Sequence, residues 1–250
     1  MTDAFAPLDL DRLRRATPPE SVRDLGPVDS TNTALLASLT AEPPPPLPAL
    51  FLSELQTAGR GRGGNRWIAN PGDLTFSLAL PKDRVMVADG LLAIAAAIAI
   101  CDAIAEQGLR FAMVKWPNDV VVVRGGRLLK LAGILIERTP DACVVGIGLN
   151  VAPRRQPGRT TLCDELADRT LSQIDRTAVL ASIVRRLSAP PTADELRLRF
   201  SNRDALRGRR IAIQETRGES VGIAAGIAAD GELLLADGRR IRSATVRLAD

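Results

Sequence analysis

Two lysines stand inside otherwise apolar runs: Lys115 in Val114-Lys-Trp-Pro-Asn-Asp-Val120, and Lys130 in Leu129-Lys-Leu-Ala-Gly-Ile-Leu-Ile-Glu137. With Lys82 they are the only lysines in the chain, and every other basic residue is arginine. An ammonium inside an apolar strand is costly unless it meets an anion. Each lysine therefore either pairs with a local carboxylate such as Asp119 or Glu137, or lies on a solvated strand face, or presents charge to a bound anion. Pro117 cannot donate a ladder hydrogen bond, so strand pairing should break there and leave Asn118 and Asp119 at a site rather than in mid-sheet.

Two further segments look costly for folding alone. Gln56-Thr-Ala-Gly-Arg-Gly-Arg-Gly-Gly-Asn-Arg-Trp67 is too rich in glycine and arginine for a core element. The backbone N–H groups of such a loop can surround an anion, and arginines add bidentate donors. It is not a Walker loop, since the GxxxxGK[ST] spacing is absent. A loop ending in Trp67 also needs something to cover the ring. In Val144-Val-Gly-Ile-Gly-Leu-Asn150, glycines weaken a strand unless another group approaches the backbone closely. Asn150 ends this run with a side chain able to read an adenine edge, or to form a turn before Pro153.

The chain has no His and no Tyr among its 250 residues. This excludes a His-based triad, a His general base and His-ligated metal sites. Cys101, Cys143 and Cys163 are irregularly spaced with no CxxC pair, which argues against a metal cluster or disulfide framework. Positive charge and backbone donors without a His-type base suit phosphoryl or adenylyl transfer, in which charge neutralisation and positioning set the rate.

Net charge is +4, which permits an anionic substrate. The arginines are scattered and aromatics are few, so nucleic acid is not an expected partner. The start MTDAFAPLDLDRLRR lacks the apolar region of a signal peptide. The apolar stretch from Gly90 to Ile104 is interrupted by Asp102 and short for a membrane span. The expected location is the cytoplasm, without membrane attachment.

Several elements must position these groups. A short helix is expected over Leu8–Ala16. A second starts at Asp29-Ser30-Thr31-Asn32 by N-cap logic, and a nearly all-apolar, buried helix spans 88–107. Amphipathic helices fit Thr177–Leu187 and Ala193–Ser201. Strands are expected at Leu50–Glu54, Leu74–Leu80 and Cys143–Val151. Val114–Val123 and Leu128–Glu137 read as one strand each, flanking a Gly125-Gly126 turn. Beyond about residue 205 the pattern changes to short strands at Arg210–Thr216, Ser220–Ala228, Glu232–Ala236 and Arg239–Arg242. These read as a small β-barrel. The expected division is a domain at 1–203 followed by one at 204–250.

These motifs, in this order, resemble the biotin protein ligases. The family's GRGR…W loop corresponds to Gly59–Trp67, its KWPND motif to 115–119, its KLAGIL(V/I)E motif to 130–137 and its GxGxN motif to Gly146–Asn150. The resemblance covers about residues 28–250. It implies an α+β fold, in which a helix-backed mixed β-sheet related to class II aminoacyl-tRNA synthetases is joined to a C-terminal SH3-like barrel.

The implied activity is ATP-dependent formation of biotinyl-5′-AMP, followed by biotin transfer to a lysine of a biotin carboxyl carrier protein, with biotin, ATP and Mg2+ as requirements. The resemblance assigns Ser30, Thr31, Gln56, Gly59, Arg60, Lys130 and Gly133 to biotin. Arg60, Arg62, Trp67, Asn118 and Asn150 fall to ATP and the adenylate. Lys130, Arg62, Lys115 and Asp119 become the catalytic set, and Asp119 also the Mg2+ residue. Asn65 stands where relatives commonly have Arg. Residues 1–28 leave no room for a helix-turn-helix, so no repressor role is expected; the resemblance admits a homodimer.

Overall fold

In the computed structural model, residues 5–16, 21–85, 89–154, 156–216 and 218–249 are described. Seven strands form the larger sheet: β1 (Ser21–Asp24), β2 (Ala49–Leu52), β3 (Leu74–Pro81), β4 (Met113–Lys115), β5 (Asp119–Arg124), β6 (Arg127–Arg138) and β7 (Ala142–Leu149). Their order is β1-β2-β3-β7-β6-β5-β4. All neighbours are antiparallel except β1, which runs parallel to β2.

The helices are α1 (Leu10–Ala16), α2 (Thr31–Leu39), α3 (Asp89–Glu106), α4 (Leu162–Glu165), α5 (Arg176–Ser188) and α6 (Ala193–Ser201). The first residue of the expected 88–107 helix lies outside the described residues. α3 is apolar on nearly all sides because it packs on β4, β5 and β6 as well as on α5 and α6. Leu92, Ile94, Ala96, Ala97 and Ile100 are all fully buried. Side chains alternate faces along a strand, so Leu50, Leu52, Leu78 and Leu80 join the core that includes α3. Ala49, Phe51, Ala79 and Val144 pack instead with Leu35 of α2 in a second, smaller cluster. α2 packs on β2, β3 and β7, which leaves the β5–β6 end of that face open.

A second, antiparallel sheet follows: β8 (Arg210–Glu215), β9 (Gly218–Ile227), β10 (Leu233–Leu235), β11 (Arg240–Ile241) and β12 (Thr245–Leu248). Its order is β11-β10-β9-β8-β12. The segment leading into it is held at β4, and the β9–β10 turn is held by Trp116. Val114 N donates to the Arg203 carbonyl (2.7 Å) and Ala205 N to the Val114 carbonyl (2.9 Å), while Trp116 Nε1 donates to the Gly231 carbonyl (2.9 Å).

The segment Val114–Val123 is not one strand. Trp116, Pro117 and Asn118 form a tight turn, and β4 and β5 pair across it with Lys115 opposite Asp119. Proline's missing donor converts the expected break into a hairpin. β1, α4 and β12 escaped the sequence reading. β1 is four half-exposed residues without alternation, and it exists through its pairing with β2.

Candidate functional site

The open face of the larger sheet holds a cavity of about 510 Å3. Its floor depends on where glycine omits a side chain. On β7, a Cβ at Gly146 would overlap the Asn32 amide, and one at Gly148 would overlap the Trp67 indole. The glycine strand thus receives a side chain from α2 and another from the glycine–arginine loop, as the strand-weakening argument requires.

That loop is a small hairpin. Arg60 and Arg66 form an antiparallel bridge, Gly61 N donates to the Asn65 carbonyl (2.7 Å) and Trp67 N to the Gly59 carbonyl (2.9 Å). The tip is a 3-10 turn in which Gly63 (φ 61°) and Gly64 (φ 79°) take the left-handed conformation, open to glycine at little cost. Asn65 Nδ2 closes the turn on the Arg62 carbonyl (2.9 Å). Arg66 donates to the Thr57 carbonyl, so part of its guanidinium is held by the loop's own backbone. Trp67 is mostly buried, with Lys130 Nζ 5.8 Å and the Arg159 guanidinium 5.4 Å from its ring centroid.

A register shift brings the two motif strands into one constellation. Asp119 pairs with Gly133 and Val120 with Ala132, but Val121 pairs with Lys130. Lys130 and Gly133 are three residues apart, so strict alternation would put them on opposite faces. The bulge at Leu131 restores them to the same face, re-aiming the side chain as bulges do. A Cβ on Gly133 would lie 3.0 Å from Lys130 Nζ. Lys130 Nζ lies 2.5 Å from Asp119 Oδ1, and Lys115 Nζ lies 3.6 Å from Asp119 Oδ2. Both lysines thus have a local carboxylate, and it is the same one.

Ser30, Thr31 and Gln56 meet at the other end of the cavity. Ser30 is the N-cap of α2, accepting from Thr33 N (3.5 Å). Thr31 N donates to Gln56 Oε1 (2.8 Å). Ser77 Oγ lies 2.8 Å from Thr31 Oγ1 and donates to Asn32 Oδ1 (2.5 Å). Asn32 Nδ2 donates to Glu137 Oε2 (2.8 Å). Glu137 in turn takes a bidentate pair from Arg60, at 3.1 and 2.8 Å. A continuous polar chain therefore runs from Thr31, in the first turn of α2, to the loop arginine Arg60. The sequence motif contained Glu137 but nothing in its spacing announced that pairing.

Arg62 Nη1 donates to Asn118 Oδ1 (3.4 Å) and Nη2 to Ser243 Oγ (3.0 Å), the latter from the β11–β12 connection. Burial lowers the Arg62 pKa against the opposing pull of Asp119. Asn118 Nδ2 is tied to the Ile134 carbonyl (2.7 Å).

Two expected site residues do not line this cavity. Gly59 sits behind the loop, where a Cβ would strike the Trp67 carbonyl. Asn150 is fully buried, and its amide donates to the Lys130 (3.2 Å) and Thr160 (3.1 Å) carbonyls. It props the Lys130 backbone through Nδ2, while its Oδ1 is buried with no hydrogen-bond partner among the described residues. Residues that motif reading missed also line the cavity: Arg159, Glu215 and Ser243 among them.

Asp73, outside the cavity lining, ties the segment after β7 to the turn before β3. It accepts from Asn70 N (2.8 Å), Val151 N (2.8 Å) and Ala152 N (3.2 Å) and pairs with Arg154. Burial pushes its carboxyl up, against those hydrogen bonds and the Arg154 charge. Among the described residues no group of three or more His, Cys, Asp and Glu could hold a metal ion. With two ammoniums clasping Asp119, this donor set does not suit a resident metal.

The cavity is a cationic, glycine-floored cleft with polar hydrogen-bonding groups at one end, arranged to hold an anion beside a small polar ligand. The chain belongs to the biotin/lipoate A/B protein ligase family, whose profile matches residues 25–152. Its relatives narrow that class to biotin ligases. Over 93% of this chain and 94% of the relative, it is 34% identical to the biotin–[acetyl-CoA-carboxylase] ligase of Mycobacterium tuberculosis. It is 32% identical, over 55% of this chain and 44% of the relative, to the bifunctional ligase/repressor BirA of Escherichia coli. Among solved structures, the biotin protein ligase from Aquifex aeolicus in complex with biotin and ATP superposes with a TM-score of 0.78. The match has 26% identity and covers 92% of this chain and all of that one. No helix among the described residues is long and apolar enough to cross a membrane.

Proposed function

We propose that this chain activates biotin with ATP and transfers it to a lysine of a biotin carboxyl carrier protein. The observation that carries this reading is the bulged Lys130–Asp119–Lys115 constellation, facing a glycine–arginine loop across one cavity. In the first step a biotin carboxylate oxygen attacks the α-phosphorus. A P–O bond forms, the α–β bridge breaks, and pyrophosphate leaves. Every species in this step is anionic, so the barrier is dominated by bringing like charges together, and preorganised cations lower it.

In this reading Ser30, Thr31 and Gln56 hydrogen-bond the polar ring of biotin, with Gly133 giving backbone access to it. Lys130, placed by the bulge, neutralises the carboxylate as it attacks. Arg60 and Arg62 hold the carboxylate and α-phosphate, Lys115 meets the departing pyrophosphate, and Asn118 orients the nucleotide. The loop hairpin, with Trp67 seated on Gly148, keeps water from the mixed anhydride. Magnesium enters with the nucleotide as part of the substrate, held chiefly by phosphate oxygens and water.

In the second step the acceptor amine attacks the acyl carbon. The C–N bond forms, the C–O bond to AMP breaks, and Asp119 is placed to draw the cationic amine and accept its proton. We place the division between a catalytic domain and a smaller C-terminal domain near residue 203, supported by the start of the second sheet at Arg210.

The test is mass spectrometry of a purified carrier domain incubated with the chain, MgATP, and either biotin or lipoate. A mass increase with biotin and none with lipoate is expected. Modification by lipoate alone would overturn the substrate assignment, and binding of biotin and ATP with no transfer would make the protein a sensor rather than a ligase.

A further inference from the structure

The cationic side chains of the cavity are not equivalent. Lys115 and Lys130 share Asp119, and Arg60 is spent on Glu137. Arg66 is directed to the Thr57 carbonyl. Arg62 and Arg159 line the same volume, and among the described residues neither forms an ion pair. Arg62 has neutral partners in Asn118 and Ser243. Arg159 has less: its Nη1 is buried without a hydrogen-bond partner, and its guanidinium stands 5.4 Å from the Trp67 ring centroid. A buried guanidinium donor left unmade costs desolvation that only a bound acceptor recovers.

The backbone fixes where this arginine points. Lys130 N donates to the Gly158 carbonyl (2.9 Å), and Thr160 N donates to the Lys130 carbonyl (3.0 Å). Arg159 therefore forms a parallel bridge with Lys130 itself. The Asn150 amide ties the Thr160 and Lys130 carbonyls together. The Arg159 side chain is thus positioned by the same backbone that positions Lys130. Burial lowers its pKa, with repulsion from Arg154 in the same direction, while Asp119 and Asp73 oppose the shift.

We propose that Arg159, which lies outside every recognised motif, is a binding residue for a phosphate group of the nucleotide, acting in the same cavity as Arg62. The inference deepens the ligase reading and rests on it for the identity of the anion. The geometry requires only a phosphate oxygen beside Nη1.

The test is calorimetric titration of the full chain, with and without biotin, using inorganic pyrophosphate and AMP as separate probes. Arg159→Gln keeps the side-chain bulk and removes the charge, while Arg159→Lys keeps the charge and loses the fork. The expected result is an affinity for at least one probe about tenfold weaker in Arg159→Gln, partly recovered in Arg159→Lys, with biotin affinity within twofold of the parent. Weakening confined to pyrophosphate places Arg159 on the leaving group; weakening confined to AMP places it on the α-phosphate. Unchanged affinity for both probes, failure of the parent chain to bind either, or an equal loss for biotin would overturn the proposal. Phosphate binding that depends on Arg159 in a chain showing no biotin-dependent turnover would leave the assignment standing and remove the ligase reading alone.

Discussion

Two aspartates in this molecule sit among cations, and they do opposite things. Asp102, on α3, takes Arg203 (2.6 Å), Arg186 (3.4 Å) and Arg199 from α5, α6 and the turn that follows. Asp119, on β5, takes Lys130 (2.5 Å) and Lys115 (3.6 Å). Burial alone would raise the Asp102 carboxyl, but hydrogen bonds and charge from Arg203 and Arg199 outweigh it and hold it below its usual range. The arginine cluster joins α3, α5 and the end of α6 behind the sheet. The lysine cluster opens on the cavity with glycine as its neighbour. Arginine's planar fork suits a permanent joint, whereas lysine's compact ammonium on a flexible stem can shift from one anion to another during a reaction. The scarcity of lysine makes the division easy to see: two of the three sit on this one carboxylate.

The sharpest way to break the comparison is to exchange roles. Lys130→Ala should lower the rate of biotinyl-adenylate formation by about 10²–10³-fold, measured as biotin-dependent pyrophosphate release, with little change in melting temperature. Gly148→Ala should come next. Its methyl overlaps the seated Trp67, so the indole must move off the sheet, and overpacking of this kind costs about 1–3 kcal/mol. Loss of the Trp67 fluorescence signature, together with faster leakage of adenylate into solution, checks it.

Asp102→Asn should leave the adenylation rate nearly unchanged and cost about 1–2 kcal/mol of stability, since the arginines around it are partly solvated. The sign of its pH dependence follows from the lowered pKa. The ionised form is favoured by folding, so the contribution is complete above the ordinary carboxylate value of 3.8 and is lost as pH falls through the lower, folded value. The gap in melting temperature between the parent and Asp102→Asn should therefore be constant near neutrality and close in strong acid. The smallest effect is expected from Arg199→Lys, at about 0.5 kcal/mol or less. Lys130→Arg should remain severely impaired although it too preserves charge.

The contrast between the clusters also explains what the sequence could reveal. Local devices were legible. Ser30 caps α2, Gly125 and Gly126 turn β5 into β6, and the all-round apolar pattern of α3 matches a helix covered on both sides. The motif lysines were legible because an ammonium in an apolar strand is conspicuous. The shared use of Asp119 was only half visible, since it needs a hairpin at Pro117 and a bulge at Leu131, both of which depend on strand register.

Arg159, Ser243 and the Asn32–Glu137–Arg60 chain were invisible because each joins segments far apart in sequence. Arg159 in particular sits in no alternating or apolar run. The structural part Asn150 plays was hidden for a related reason: its donors meet two buried carbonyls, of Lys130 and Thr160, that spacing could not place beside it.

The measurement that bears most directly on this account is biotin-dependent pyrophosphate release by Lys130→Ala and Asp102→Asn, run side by side at a temperature where both are folded. The account predicts that release collapses in Lys130→Ala and persists near the parent rate in Asp102→Asn. Release that survives in Lys130→Ala, or that fails equally in Asp102→Asn, would contradict it.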